Sequence, residues 1–307
     1  MSAAWSLPQS MRIFERGWLS ANNILFIGRD ETALVDSGYL THAPQTLALV
    51  RHALGTRPLD LLVNTHLHSD HCGGNAALQA HYGCFTAIPA AEAEAVRAWD
   101  EDALSYKATG QQCARFGFDA TIAPGDELVL GDLRWHALAA PGHDPRSLIF
   151  YCADEGILIS ADALWENGFG VIFPELDGES GFAEARATLA LIAALDVRLV
   201  IPGHGAPFTD AKAALARAVS RLDYLEADPR RNAENAVKVM LKFLLLEHQQ
   251  IALAEVAAMF AAIPVLAAAR RRFLHMEPAE LAECTITALV RAGAARVDGA
   301  MLVNADL

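Results

Sequence analysis

The chain contains at residues 65–74 the stretch Thr65-His66-Leu67-His68-Ser69-Asp70-His71-Cys72-Gly73-Gly74. It places three imidazoles and one carboxylate within six positions, directly after an apolar run at residues 59–64 that is typical of a buried strand. Residues two apart in an extended segment point to the same side, so His66 and His68 can face one ion. This spacing predicts a loop that binds metal.

The other two ligand-type residues of the stretch, Asp70 and His71, lie where the chain turns towards a glycine pair at the start of a helix. Their side chains are therefore expected to point to a neighbouring position, where a second ion can bind. Imidazole nitrogens and carboxylate oxygens are both ordinary ligands of divalent metals. The alternative interpretation is a polar turn that carries its histidines by chance.

Size and composition limit the possible classes of protein. A chain of 307 residues is long enough for one large domain, or for a large and a small one. No segment approaches ~18 uncharged apolar residues, which predicts no membrane span. The first eight residues lack a basic region followed by an apolar core, and the five cysteines are scattered without C-x-x-C spacing. These features predict a cytoplasmic protein with reduced thiols and no secretion signal.

The net charge of −13 disfavours a polyanionic partner, because affinity for nucleic acid depends on neutralising phosphates with Lys and Arg. The strongest candidate for a basic patch is residues 270–272, Arg-Arg-Arg. Its alternative interpretation is the solvated face of a helix. Nucleic acid is therefore an unfavoured partner.

Apolar periodicity and turn residues predict alternating strands and helices over the first two thirds of the chain. The predicted elements are a hairpin at 24–38, a helix from Thr41 to Gly55, a strand at 59–65, a helix at 76–82, a strand at 84–88, an Ala-rich helix from 90 to about 116 with a break near Gly110, a strand pair at 126–138, strands at 147–152 and 156–160, a helix at 183–195 and a strand at 198–201.

Three further candidate ligands each follow the carboxyl end of a predicted strand: His143, Asp162 and His204. Strand ends converge on one edge of a sheet sandwich, so these side chains are expected to meet the 65–74 stretch although they are distant in sequence. The remaining histidines lack this placement and are interpreted as structural or surface residues; they lie at positions 42, 52, 81, 136, 248 and 275.

The ordered pattern His-x-His-x-Asp-His, Gly-His, Asp and Pro-Gly-His-Gly resembles the metallo-β-lactamase superfamily over roughly residues 10 to 225. The resemblance implies an α+β fold, a four-layer αββα sandwich with a dinuclear metal centre at its edge. It assigns His66, His68 and His143 to one metal. Asp70, His71 and His204 are assigned to the other, and Asp162 bridges the two. Zinc is the default for this ligand set, and iron or manganese would be tolerated.

Two departures from patterns found elsewhere in the superfamily indicate which branch of it this chain resembles. Flavin-linked diiron members carry Glu where this chain has His68, and the zinc β-lactamases that use cysteine have it where this chain has Asp162. The resemblance therefore favours the branch of the superfamily that contains glyoxalase II, lactonases and nucleases. Cys72 is interpreted as a packing residue whose side chain points away from the metals.

The C-terminal part, residues 226–307, is predicted to be a second domain after the catalytic domain 1–225. Residues 226–232 read as a charged linker with a helix-stopping proline. Three predicted helices, the second at 251–260, and a hairpin with an Asp-Gly turn then follow, and together they resemble a winged-helix module. Its third helix is acidic, which favours a packing, lid or homodimerisation role over nucleic-acid binding.

The reaction implied is hydrolysis of a small-molecule carbonyl by a hydroxide that bridges two metals, with Asp70 orienting it and taking its proton. As the substrate, a thioester of the hydroxyacylglutathione or acyl-CoA type is slightly favoured over a lactone or other ester. Relatives in this branch also imply weak β-lactam turnover. The alternatives are a metal-dependent endonuclease on RNA or DNA, an iron-dependent persulfide dioxygenase and a non-catalytic binding module.

Three supporting features each have two interpretations. Asp36 either hydrogen-bonds the histidine loop or is an ordinary turn aspartate. Residues 164–174, which interleave aromatics and glycines, form either one wall of a substrate pocket or an ordinary connection. Arg146 either binds an anionic group of the substrate or forms a surface salt bridge.

Overall fold

The computed structural model describes residues 6–305. Residues 1–5 belong to the stretch interpreted above as lacking a secretion signal, and they lie outside the described residues, as do 306 and 307. The described chain forms one sheet of six strands, one of five and one of three. Among the described residues no single helix is long and apolar enough to cross a membrane, although the bent pair Leu253–Ala262 and Pro264–Leu274 passes that test together.

The first sheet has the strand order β1-β2-β3-β4-β5-β6, antiparallel from β1 to β3 and parallel from β3 to β6. Its strands are β1 (Met11–Phe14), β2 (Asn23–Ile27), β3 (Thr32–Val35), β4 (Leu61–Val63), β5 (Phe85–Pro89) and β6 (Ala120–Ile122). The second sheet has the order β11-β10-β9-β8-β7. Its strands are β7 (Glu127–Leu130), β8 (Leu133–Ala139), β9 (Leu148–Cys152), β10 (Ile157–Ala161) and β11 (Leu199–Pro202).

Helices flank the two sheets and continue to the C-terminal part. They are α1 (Ala43–Leu54), α2 (Ser69–Cys72), α3 (Asn75–Tyr82), α4 (Ala93–Ala98), α5 (Tyr106–Thr109), α6 (Pro174–Asp177), α7 (Phe182–Ala193), α8 (Ala211–Glu226), α9 (Pro229–His248), α10 (Leu253–Ala262), α11 (Pro264–Ala269) and α12 (Pro278–Arg291).

The two larger sheets pack face to face, and the strands β2, β3, β9, β10 and β11 are buried along nearly all of their length. On β2, the neighbours Leu25 and Phe26 point to opposite faces. Phe26 packs edge-on against Trp135 of β8 at 5.5 Å in the core between the sheets, whereas Leu25 packs with Val50 of α1. The outer face of the second sheet is covered by α7 and α8 in the same way. The layers are therefore helix, sheet, sheet and helix, which confirms the predicted αββα sandwich.

The prediction of an Ala-rich helix from 90 to about 116 is wrong for most of that segment. The segment contains a 3₁₀ turn, the short helices α4 and α5, and no helix between Gly110 and residue 119. Helix α4 ends where Trp99 adopts a left-handed backbone with φ 53°. Tyr106 and Phe116 then pack with Leu67 of the histidine loop. Burial of these aromatics outweighs the helix propensity of the alanines.

The C-terminal elements α9 to α12 enclose their own core together with the three-stranded sheet of β12 (Gln250–Ala252), β13 (Ala295–Asp298) and β14 (Met301–Asn304). The hairpin with the Asp-Gly turn is present, with Gly299 at φ 58°. The second predicted helix begins at 253 rather than 251, because Ile251 pairs with Leu302 in the sheet. The winged-helix resemblance and the domain boundary at 225 stay predictions.

The expected linker at 226–232 is shorter than predicted. Helix α8 ends at Glu226 and α9 begins at Pro229, so the proline starts a helix instead of stopping one. Proline suits the first position of a helix because no helical partner is needed for its missing N–H. The Asp228 side chain caps the helix by accepting from the backbone N of Arg230.

We predict that Trp135→Ala destabilises the fold by about 3–5 kcal/mol, because this fully buried indole fills the space between the sheets. Urea denaturation with a metal chelator present measures the effect without a contribution from bound ions. The control is Val129→Ala on the neighbouring strand, whose side chain is exposed and which should change the free energy of unfolding by less than about 0.5 kcal/mol. Equal losses in both variants would contradict the sandwich core.

Candidate metal centre

The seven candidate ligands lie where the sequence places them, beyond the carboxyl ends of strands. The 65–74 stretch follows β4 and turns into α2, His143 follows β8, Asp162 follows β10, and His204 follows β11. These ends converge on one edge of the sandwich. There the side chains form two clusters in which one ligand atom of each residue lies within 4.8 Å of the others.

The first cluster contains His66, His68 and His143. His68 Nδ1 lies 3.1 Å from His66 Nε2 and 2.9 Å from His143 Nε2. Two imidazole nitrogens bound to one zinc at ~2.0–2.1 Å in tetrahedral geometry are roughly 3.3 Å apart. The three nitrogens therefore converge as the ligands of one ion would.

The second cluster contains Asp70, His71, Asp162 and His204, all buried. His204 Nε2 lies 3.0 Å from Asp70 Oδ2, and His71 Nε2 lies 3.5 Å from Asp162 Oδ2. His71 Nε2 is buried without a hydrogen-bond partner among the described residues. A buried polar atom without a partner is rare, and a metal ion would satisfy it. This set of nitrogen and oxygen donors therefore fits a divalent cation.

One carboxylate connects the clusters. Oδ2 of Asp162 lies 3.3 Å from Nε2 of His143 in the first cluster and 3.5 Å from Nε2 of His71 in the second. The indole Nε1 of Trp165 donates to the other oxygen, Oδ1, at 3.2 Å. The carboxylate is thereby held between the two candidate positions.

Asp36 orients the second cluster from behind. Its Oδ2 accepts from His71 Nδ1 at 2.7 Å and from Thr65 Oγ1 at 2.8 Å, and its Oδ1 accepts from the backbone N of Thr65 at 2.9 Å. A hydrogen bond at Nδ1 leaves Nε2 of His71 to face the cluster. The hydrogen bond to the histidine loop is therefore present, and Asp36 is more than a turn residue.

The first cluster is oriented in the same manner. His143 Nδ1 donates to the carbonyl of Val171 at 2.5 Å, and His68 Nε2 lies 3.4 Å from Asp144 Oδ2. In each ring the opposite nitrogen faces the cluster. Gly170 permits this approach, because a Cβ on it would lie 2.5 Å from His143 Nδ1.

The electrostatics of the two clusters differ. Burial lowers the pKa of His68 to about 4, and burial with the neighbouring His71 holds the pKa of His66 well below its ordinary value. His66 and His68 are therefore neutral at pH 7. Burial alone would raise the pKa of Asp162, but His71 and His204 outweigh it and keep that carboxylate ionised. Burial opposes a charge on His71 and His204, but the neighbouring carboxylates, led by Asp36 for His71 and by Asp162 for His204, together raise the pKa of both rings, so a metal ion would displace protons from them.

A cavity of about 80 Å³ opens onto both clusters. Trp165, Val171 and Phe173 line it, so residues 164–174 form a pocket wall as one interpretation predicted. Trp18 and three residues of α9, Val239, Met240 and Phe243, also line the cavity, and no sequence pattern predicted their position there. The apolar face of α9 was recognisable, but the sequence contains no signal for what it packs against.

Two other sequence candidates lie outside the clusters. Cys72 Sγ contacts Tyr106 Oη at 3.2 Å and Cys113 Sγ at 3.8 Å, which agrees with the predicted packing role. Arg146 binds Glu92 at 2.7 Å and the carbonyl of Ala103 at 2.8 Å rather than lining the cavity. The salt-bridge interpretation of Arg146 is therefore correct, although its carboxylate partner is buried. None of the other six histidines joins either cluster.

The sequence matches a known protein family. The family model described as the metallo-beta-lactamase superfamily matches residues 16–204, and the chain belongs to that superfamily. A hydroxyacylglutathione hydrolase from Brucella anthropi is 30% identical over 148 residues, which are 44% of this chain and 50% of that protein. A probable metallo-hydrolase, YqgX, from Bacillus subtilis is 29% identical over 63% of this chain and 89% of its own length. The chain spans about half the length of the hydroxyacylglutathione hydrolases that it matches.

Solved structures share the fold. A metallo-beta-lactamase family protein from Thermus thermophilus covers 97% of this chain and 100% of its own with a TM-score of 0.57 at 21% identity. A metallo-beta-lactamase from Cronobacter sakazakii covers 73% of this chain and 95% of its own with a TM-score of 0.56 at 20% identity. At these identities the likeness concerns the fold alone.

We predict that Asp36→Asn weakens zinc binding by about 10–100-fold, because the amide lacks the charge that orients and polarises His71. Competition with a chromophoric chelator measures the affinity. Asp132→Asn is the matched control, because Asp132 also has a positive φ, 64°, but contacts Arg29 far from the clusters. Unchanged affinity in Asp36→Asn would show that the hydrogen bond does not support the metal.

We predict a pH-dependent stability from Glu92, whose pKa is raised from 4.5 to about 7 by burial and by Asp144, against the opposing effect of Arg146. A raised carboxyl pKa means that the folded state binds the proton more tightly. The contribution is therefore full below pH 4.5 and is lost as pH rises through about 7, on the order of 3 kcal/mol in total.

The free energy of unfolding measured from pH 4.5 to 8 tests this prediction. Glu92→Gln should flatten the decline relative to the wild type, whereas Glu94→Gln, a change at an exposed side chain on the next helix, should retain it. Identical pH profiles in all three proteins would show that Glu92 titrates normally in the folded state.

Proposed function

We propose that the chain is a dinuclear metal hydrolase that acts on a small-molecule carbonyl substrate, with a thioester ahead of a lactone or other ester. The observation that supports this most strongly is the position of Asp162 Oδ2, which lies within 3.5 Å of an imidazole nitrogen in each cluster. Two adjacent cation positions that share a carboxylate suit hydrolysis at a polarised carbonyl.

In this proposal His66, His68 and His143 would hold one ion. Asp70, His71 and His204 would hold the other, and Asp162 would serve both. Zinc is the favoured metal for these donors, with iron or manganese as alternatives. When bound, two such ions supply polarisation of the carbonyl oxygen and a lowered pKa for water at the site.

The chain's own residues position the reactants. Asp70 lines the cavity, and although burial alone would raise its pKa, His71 and His204 lower it, so the carboxylate is ionised at neutral pH. It is therefore available to orient a water molecule and to accept its proton. The rings of Trp18, Trp165 and Phe173 surround the same space and limit the access of bulk water.

The relatives support a thioester substrate, because hydroxyacylglutathione is a thioester and the hydroxyacylglutathione hydrolases match this chain across about half of their own length. The net charge of −13 disfavours the endonuclease alternative. The four-residue second cluster disfavours a mononuclear persulfide dioxygenase, since such an enzyme would leave that cluster without a role. A homodimer and a cytoplasmic location remain predictions.

The test is metal analysis of the purified protein with a hydrolysis panel of thioesters, lactones, a β-lactam and labelled RNA. We expect close to two divalent ions per chain and turnover of a thioester or lactone. Asp162→Ala should lower kcat/KM by more than about 100-fold, because loss of a bridging ligand exceeds the loss of an outer hydrogen bond. Asp196→Ala, which removes an exposed carboxylate, is the control and should leave the rate unchanged.

Other outcomes would replace the proposal. One iron per chain without hydrolysis would favour sulfur oxidation. Cleavage of RNA alone would favour the nuclease. Retained hydrolysis in Asp162→Ala would show that the carboxylate between the clusters is not needed.

A further inference from the structure

An apolar groove lies beside the candidate metal centre. It has a volume of about 240 Å³, and its lining is almost entirely carbon. The residues that line it come from the N-terminal segment, the 164–174 wall, α9 and α12: Trp18, Trp165, Lys238, Val239, Lys242, Phe243, Leu246 and Leu289. The groove therefore lies between the sandwich and the C-terminal elements.

The groove adjoins the cavity over the clusters. Four residues line both spaces: Trp18, Trp165, Val239 and Phe243. Trp18 stacks on His204 with ring centroids 5.4 Å apart and meets Trp165 edge-on at 5.2 Å. A ligand in the groove would thus contact the same aromatic rings that contact the second cluster.

The lining is apolar and partly exposed. Trp18 is 47% exposed and Val239 is 42% exposed, so large hydrocarbon surfaces face the opening. Exposed apolar patches beside a pocket mark binding sites for apolar groups. The two lysines contribute their hydrocarbon stems, and the Lys242 ammonium is directed to the carbonyl of Ala294 and to Asn304 Oδ1 at 2.9 and 2.6 Å.

We infer that this groove binds the acyl chain of the substrate, so that the scissile carbonyl lies in the cavity while a hydrocarbon of several carbons lies between the two tryptophans and α9. The substrate class is an acyl thioester with an extended apolar acyl group. The inference rests on the proposed hydrolase function. In the reaction the oxygen of water forms a bond to the carbonyl carbon and the C–S bond breaks. One proton of the water is transferred to the departing sulfur, which leaves as a thiol, and the other is released to solvent when the carboxylic acid ionises.

The position of the groove favours a substrate chain over a second protein chain. It shares Trp18, Trp165, Val239 and Phe243 with the cavity of about 80 Å³, which has room for only a slender group. A hydrocarbon chain attached to a carbonyl fills both spaces at once, and no polar group is left in the apolar part. A contact between two copies of the chain would cover only the outer surface of the groove.

The first experiment measures kcat/KM for acetyl, butyryl, hexanoyl and octanoyl thioesters of N-acetylcysteamine. We expect kcat/KM to rise with chain length, by up to about fourfold for each buried methylene. Val239→Glu places a charge in the groove and should flatten this dependence. Val219→Glu is the matched control, because Val219 is similarly exposed but lies on α8 outside the groove, and it should retain the wild-type dependence.

The second experiment does not require catalysis. Trp18 and Trp165 line the groove, so titration with decanoate should change the intrinsic tryptophan fluorescence of the wild type. Trp18→Phe should reduce the amplitude, and Val239→Glu should weaken binding at least tenfold, whereas Val219→Glu should bind as the wild type does. Size-exclusion chromatography of the same variants reports any contact between copies.

The outcomes separate the two proposals. Thioester hydrolysis that ignores acyl length, without decanoate binding, overturns the groove assignment and leaves the hydrolase intact. Decanoate binding without hydrolysis of any thioester, lactone or other ester supports an apolar site in the groove and overturns the hydrolase. A wild-type dimer that Val239→Glu converts to a monomer, with no effect on chain-length dependence, assigns the groove to contact between copies and overturns the inference.

Discussion

Burial of two carboxylates among imidazoles at one edge of the sandwich is the constraint on which the rest of the site depends. Asp70 and Asp162 are buried and ionised, because His71 and His204 offset the cost of burial. A buried charge requires a compensating partner, and a divalent cation compensates more effectively than a shared proton. The loops beyond β4, β8, β10 and β11 must therefore converge, and small residues are needed where they meet. At Gly203, for example, a Cβ would collide with the Asp162 carboxylate.

The orientation of the rings depends on groups outside the clusters. Asp36 holds His71, and the carbonyl of Val171 holds His143, so that each ring presents one defined nitrogen. The same wall segment that supplies Val171 also supplies Trp165, whose indole donates to Asp162. Residues 164–174 therefore connect ligand geometry with the shape of the cavity, and a change in this wall would alter both.

The C-terminal elements are part of the site. Helix α9 contributes Met240 and Phe243 to the cavity over the clusters, and Val171 of the wall packs into the C-terminal core. Both parts of the chain therefore build the cavity, since the sandwich supplies the candidate ligands and α9 supplies much of the apolar surface around them. This arrangement is consistent with the predicted lid or packing role of the C-terminal part. It does not require nucleic-acid binding.

The sequence by itself predicted the position of all seven candidate ligands beyond strand ends, because an apolar run followed by a ligand-type residue is a local pattern. The αββα sandwich followed from the resemblance of those residues to the superfamily pattern. The prediction failed at residues 90–116, where the contact of Tyr106 and Phe116 with Leu67 outweighs local helix propensity. Only the tertiary structure decided that Asp36 binds His71, that Arg146 turns to buried Glu92, and that Trp18 and α9 border the cavity. These contacts join residues far apart in the chain. Packing and burial select them, and no local pattern encodes those forces.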